Sequence, residues 1–186
     1  MIRVYIVIMI LFITLPQAFA GVFEISASAN YRRSQFDEEN YQESQSLTGS
    51  ISYYFMQMSA IELSYTSGTS TLRATSIDNT WLEYITEFSM YGVDLVLTLA
   101  QKDSFFQPFV KIGGAHIRKD LIVKSETGAH KRSDTEPETV PSAGLGLKLM
   151  ITKTFSIKLG MDAWQTKQGE SSKLDYAGRA GIAWLF

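Results

Sequence analysis

The sequence predicts an all-β protein: an eight-stranded antiparallel up-and-down transmembrane β-barrel, preceded by a cleaved signal peptide. Three observations carry this. Beyond residue 20 the chain alternates apolar and polar residues with period 2 almost throughout, which marks strands with two unlike faces. The connections between these segments are short and long in strict turn, as in a meander with all its tight turns at one end. One face is apolar and edged with aromatic residues while the other holds charges and small residues, too cramped for a soluble surface and suited to the inside of a barrel in lipid.

The compartment follows from the beginning of the chain. Met1, Ile2 and Arg3 precede an apolar run over residues 4–15, then Pro16 and the small-x-small site Ala18-Phe19-Ala20. This is the layout of a secretory signal peptide, and the run is short of the ~20 residues a spanning helix requires. Cleavage after Ala20 is expected, so residues 1–20 are the signal peptide and residues 21–186 a single barrel domain. The chain has no cysteine, so no disulfide framework holds that domain. With 17 Lys+Arg and 19 Asp+Glu its formal net charge is −2, and no basic stripe invites nucleic acid.

The eight segments justify themselves in order. Residues 22–33 set Phe23, Ile25, Ala27, Ala29 and Tyr31 against Glu24, Ser26, Ser28 and Asn30. Residues 46–55 set Leu47, Gly49, Ile51, Tyr53 and Phe55 against Thr48, Ser50 and Ser52. Residues 60–67 oppose Ile61, Leu63 and Tyr65 to Glu62 and Ser64. In residues 84–100 the apolar row is Tyr91, Val93, Leu95, Leu97 and Leu99, with Asp94 opposite. Phe88 and Tyr91 cannot share a face there, which predicts a bulge or a portion above the bilayer. Residues 105–118 place Lys111 inward; their Pro108 is tolerable only where its missing donor meets no partner. Residues 139–151 oppose Leu145, Leu147, Leu149 and Ile151 to Gly144, Gly146 and Lys148. Residues 155–166 oppose Phe155, Ile157, Leu159 and Met161 to Lys158 and Asp162. Residues 174–186 end in Tyr176, Ala180, Ile182, Trp184 and Phe186 with Arg179 on the other face, closing against the first strand.

Residues 56–59, 101–104 and 152–154 are the short connections, and residues 34–45, 68–83, 119–138 and 167–173 the long ones. Aromatics gather at both ends of the strands. Tyr53, Tyr54, Phe55, Phe105, Phe106, Phe155, Trp184 and Phe186 lie toward the short turns; Tyr31, Tyr65, Trp81, Tyr84, Phe88 and Trp164 lie toward the long loops. Two aromatic girdles are expected of an outer-membrane barrel.

The charges predicted to point inward are Glu24, Glu62, Asp94, Lys111, Lys148, Lys158, Asp162 and Arg179. Each costs several kcal/mol if buried alone, so mutual pairing is expected. An eight-stranded interior is just wide enough for side chains to fill. A plugged lumen is therefore expected, with a gated polar pathway as the alternative. The two histidines, His116 and His130, lie far apart and offer no metal-ligand cluster. Asp37-Glu38-Glu39 reads as a solvated acidic loop. Residues 119–138 form the longest loop, the kind of segment that carries binding function on a rigid scaffold.

Three stretches carry a family resemblance: LTGSISYYFMQMSAIELSYT (47–66), FFQPFVKIGGAHI (105–117) and the closing AGRAGIAWLF (177–186). The mature chain resembles the small eight-stranded outer-membrane barrels of Gram-negative bacteria, the OmpX, OmpW and OmpA-barrel group. The resemblance implies an integral protein of the bacterial outer membrane, monomeric, in contact with outer-membrane lipid and lipopolysaccharide and assembled by the outer-membrane insertion machinery. It implies a structural, adhesive or envelope-integrity role through extracellular loops, or passage of small hydrophobic molecules. The chain end resembles the sorting signal of such barrels, carried here by Tyr176, Ile182, Trp184 and Phe186. Lipid A deacylases of this size use a His-x-Ser arrangement, whereas His116 is followed by Ile117-Arg118 and His130 by Lys131-Arg132. Lipid A palmitoyltransferases carry a helix before the barrel, and Gly21 runs directly into a strand. No enzymatic activity, cofactor or metal is expected.

Overall fold

The structure is a computed structural model that describes residues 22–35, 41–75, 81–101, 103–125, 130–168 and 171–186. The expected signal peptide and the Asp37-Glu38-Glu39 loop lie outside these residues. Nine strands follow in order: β1 (Val22–Gln35), β2 (Tyr41–Met56), β3 (Ser59–Thr75), β4 (Trp81–Thr98), β5 (Phe106–Ser125), β6 (His130–Asp134), β7 (Glu138–Met150), β8 (Phe155–Gln168) and β9 (Ser171–Leu185). Neighbours pair antiparallel in the order β4-β3-β2-β1-β9-β8-β7-β5, and β4 pairs with β5 to close the ring. β6 pairs with the far part of β5, Asp120↔Asp134 to Lys124↔His130, while β7 pairs with the near part, Phe106↔Leu149 to Ile117↔Glu138. β6 and β7 are thus one stave interrupted at residues 135–137, and the barrel has eight staves. Closure removes the exposed edges that an open sheet would present.

The two faces are inverted relative to a soluble protein. Leu47 and Leu145 are each 63 % exposed and Val93 56 %, whereas Glu24 is 1 %, Glu62 4 % and Lys148 5 % exposed. Water would drive the opposite arrangement, since apolar area costs roughly 25 cal/mol per Å² when wetted. Outward rings mark both edges of the apolar belt. Phe23 stacks beside Tyr53 and Phe155 beside Trp184 at the short-turn end, with centroids 5.1 and 5.8 Å apart; Tyr65 meets Tyr91 at 4.9 Å toward the other end.

Three features depart from the sequence reading. First, the long connections are mostly strand. β3 runs to Thr75 and β4 starts at Trp81; β5 continues to Ser125 and returns through β6. The expected loop over residues 119–138 is largely a hairpin. A ladder needs only paired backbone groups, and above lipid neither face has to be apolar, so Ser/Thr-rich stretches such as GTSTLRAT hide their strand character. β5 has 20 residues, well beyond the ~9–11 that cross a bilayer. The asymmetry between the two ends therefore lies in how far hairpins project.

Second, β4 has no bulge. Its register with β3 is unbroken from Ser59↔Leu97 to Thr75↔Trp81, and with β5 from Leu82↔Ser125 to Thr98↔Phe109. Phe88 keeps the inward parity of Gly92 and Asp94, its ring lying over Gly68, where a Cβ would overlap it. Third, Tyr54 and Trp164 also face the lumen instead of a girdle. Phe109, to which the sequence reading assigned no face, stands inward between Gln107 and Lys111, its ring filling the space that Gly146 leaves by lacking a Cβ. Pro108 is accommodated at a ladder end: its carbonyl accepts from Leu99 on the β4 side, beyond the last regular rung Thr98↔Phe109.

Candidate functional site

The lumen holds the chemistry, and period 2 decides what enters it. Glu24 of β1, Glu62 of β3, Asp94 of β4, Lys111 of β5, Lys148 of β7, Lys158 and Asp162 of β8 and Arg179 of β9 all take the inward parity. Register then sets like charges side by side: Glu62↔Asp94 across β3–β4, and Lys148↔Lys158 across β7–β8. Like charges directly opposite on a ladder repel. Each pair is answered from elsewhere in the ring.

Lys111 Nζ lies 3.3 Å from Glu62, 3.3 Å from Asp94 and 3.0 Å from Asp162. Glu24 accepts from Lys148 at 2.9 Å and Lys158 at 3.1 Å. Lys158 also reaches Glu62 at 3.3 Å, and Arg179 pairs with Asp162. All eight groups form one connected network of four carboxylates and four cations. Neutral partners complete it. Tyr54 OH donates to Glu24 at 3.2 Å and accepts from Lys148 at 3.1 Å; Ser52 donates to Glu62 at 3.2 Å; Ser142 donates to Asp94 at 2.8 Å. Rings cover two ammonium groups, Tyr54 over Lys148 and Phe109 over Lys158, with centroids 5.2 and 5.5 Å away. Such contacts are worth on the order of 1 kcal/mol, more where water is excluded.

The network divides the lumen. At the level of the network itself is a space of about 20 Å³, bordered by Ser26, Ser50, Phe109, Lys158 and Arg179. That is room for about one water molecule. On the hairpin side is a cavity of about 900 Å³ whose floor is Asp94, Lys111, Asp162 and Arg179. Hydroxyls line β2 and β3 there, with Thr48 and Thr66 bonded to each other at 2.8 Å. Across from them Ala115, Ile117 and Val140 form a small apolar cluster with Met90 and Trp164 packed against it.

The other residues singled out from the sequence lie elsewhere. Tyr176, Ile182, Trp184 and Phe186 stand on the outer face, 50–70 % exposed, and the Phe186 amide donates to the Phe23 carbonyl at 2.8 Å. His116 is outward, its Nδ1 3.0 Å from Thr139 Oγ1, and His130 begins β6. On the projecting hairpin Arg132 pairs with Asp120 at 3.0 Å and Asp134 at 3.6 Å. The hydrogen bond and charge of Asp120 hold that guanidinium above its ordinary pKa.

Tyr54, Phe109, Ser52 and Ser142 belong to the plug although chemistry alone did not point to them. Their parity was the available signal: Tyr54 is in step with Ser52, and Phe109 with Lys111.

No family model matches the chain, and no curated protein does. Solved structures do. The N-terminal β-barrel domain of Pseudomonas aeruginosa OprF is similar at TM-score 0.57 and 18 % identity, over 89 % of this chain and 97 % of that one. Neisserial surface protein A is similar at TM-score 0.60 and 12 % identity, over 88 % and 96 %. Ail, the attachment invasion locus protein of Yersinia pestis, in complex with the heparin analogue sucrose octasulfate, is similar at TM-score 0.56 and 15 % identity, over 89 % and 99 %. The chain has the fold of small eight-stranded outer-membrane barrels.

Proposed function

We propose that this chain is an integral protein of the bacterial outer membrane, a sealed and rigid scaffold that presents its projecting hairpins outside the cell. Its role is structural or adhesive, through contacts of those hairpins with lipopolysaccharide or a host surface. The observation that carries this reading is the lumen: a charge-balanced network of mutually paired side chains stands across it, with a space of only about 20 Å³ among its members. What projects is a polar hairpin of mixed charge, with exposed Arg118 and Lys131 and with Arg132 paired to Asp120 and Asp134. That Ail, a barrel of the same fold, is described by attachment and was crystallised with a heparin analogue supports the adhesive role. The cavity above the network is the one feature favouring a conduit for small hydrophobic molecules, but its floor is charged.

Planar-bilayer recording is the test. The wild-type protein should give no steady conductance, and Lys111→Ala or Asp94→Ala should open intermittent currents by loosening the network. Steady wild-type current would end the sealed-scaffold reading.

The chain end is proposed as the tag read by the insertion machinery, with Phe186 doubling as an interface anchor. Appending several charged residues after Phe186 should leave less heat-modifiable, faster-migrating barrel in outer-membrane fractions on a detergent gel. Undiminished assembly would remove that role from the terminal residues.

A further inference from the structure

The interior of an eight-stranded barrel is narrow enough for side chains to fill, and at the level of the charge network this one is nearly filled, with about 20 Å³ left. Toward the hairpin end the filling stops. There β2 contributes Ser44, Ser46 and Thr48 and β3 contributes Ser64, Thr66 and Ser70, all too short to reach the opposite wall. The cavity of about 900 Å³ is the space they leave, within the ~300–1,000 Å³ of ordinary small-molecule sites. Its lining starts at Asp94 and continues past the outer girdle. Tyr65↔Tyr91 mark that girdle, and Ser70↔Thr86, which also border the cavity, lie farther out along the same ladder. The upper part of the cavity therefore stands above the lipid, where a ligand arrives from water.

The two walls differ in chemistry. Thr48 and Thr66 bond to each other at 2.8 Å. The half-buried hydroxyls of Ser46, Ser64 and Ser70 have no protein partner among the described contacts, and are left to water or to a ligand. β8 lies four staves from β3 in either direction around the ring. From there Trp164 packs on Ala115, Ile117 and Val140 and borders the cavity, a ring held in place with part of its surface open. The floor holds two carboxylates and two cations already paired with one another, so it exerts little net pull on an ion. An apolar solute would strip water from the serine hydroxyls and return no bond. A sugar ring suits both walls, with a C–H face to lie on the indole and hydroxyls to exchange hydrogen bonds with the serines. We propose that the cavity is a cup for a short uncharged oligosaccharide, about two or three sugar units for this volume, taken up from the water outside the cell. This goes beyond the scaffold role and rests on the reading of the barrel as membrane-spanning.

The test uses protein inserted in phosphatidylcholine vesicles and shown to be heat-modifiable, so that failure of the membrane reading appears as failure to insert. Trp81→Phe and Trp184→Phe leave Trp164 as the one tryptophan. Its fluorescence is followed during titration with three neutral trisaccharides, maltotriose, cellotriose and raffinose. A saturable change with at least one of them is expected in the millimolar range or below. Trigalacturonate, of similar size but anionic, should bind about tenfold or more weakly, because its carboxylates would lose water without gaining a partner. Ser46→Ala with Ser64→Ala should weaken binding of the neutral sugar several-fold and leave heat-modifiability unchanged.

Entry from water is read separately, by a thiol. The chain has no cysteine, so Ser46→Cys places a single one inside the cup. A membrane-impermeant, water-soluble thiosulfonate should modify it, and the sugar that binds should slow that modification in step with its occupancy. Gln45→Cys, exposed on the outer face of the same strand, should react equally fast with and without the sugar. A thiol at position 46 that the reagent never reaches, or one that saturating sugar leaves unprotected, would overturn the cup. So would the absence of a saturable change with all three neutral sugars in heat-modifiable protein. Trigalacturonate binding as tightly as they do would overturn the uncharged class of ligand.

Discussion

Lys111→Met lowers the stability of the barrel by about 3–5 kcal/mol, the usual cost of leaving buried charge without its partner. It is expected to be the most damaging single replacement in the lumen. Lys111 Nζ is within 3.3 Å of three carboxylates, Glu62, Asp94 and Asp162. Glu62 keeps Lys158 after the replacement and Asp162 keeps Arg179. Asp94 keeps only the Ser142 hydroxyl among the described contacts. Methionine restores most of the lost volume, so the loss is electrostatic and not a cavity effect. Urea unfolding in lipid vesicles measures it. The double variant Lys111→Met, Asp94→Asn removes one charge of each sign and should recover a substantial part of the loss, as expected of coupled neighbours. A single-variant cost under about 1 kcal/mol would mean that water already solvates the network, contrary to its burial.

The second large effect separates lipid from water on the outside. Val93→Arg should cost about 2–4 kcal/mol, as arginine does on the lipid face of a barrel near mid-membrane, falling toward zero at the interfaces. Val93 is 56 % exposed and lies in the row Tyr91, Val93, Leu95, Leu97 of β4. On a water-exposed surface the same change would stay within about 0.5 kcal/mol. Thr71→Arg supplies the internal control. Thr71 belongs to the upper part of β3, cross-strand from Ile85, where the proposed placement puts the strand above the bilayer, and its replacement should be nearly neutral. Equal, small effects at both positions would place the barrel in water.

Much of the architecture was legible because the faces of a strand are a local property. Alternation in residues 22–33 or 155–161 reveals two faces without reference to any other strand, and eight such segments with alternating connections admit a closed meander. Side-chain chemistry misleads in two ways where it competes with position. Aromatic character assigns Tyr54, Phe88 and Trp164 to the girdles, although parity puts them inside. Residues 68–75 and 119–125 read as loop because they lack an apolar face, although a hairpin projecting from the membrane needs none.

By itself, then, the sequence determined the class of the protein, the number of staves and which residues share each face, since these depend on the two-residue repeat of an extended chain. It did not determine which charge meets which. Lys148 and Glu24 are 124 residues apart, and their contact depends on the register of every ladder between them and on closure of the ring. Nor could it show that Phe109 fits inside because Gly146 lacks a Cβ, or that the β1–β9 seam ends at Ala29↔Ala180. Those are relations across the lumen or across the closing seam, and they exist only once all eight staves are in place.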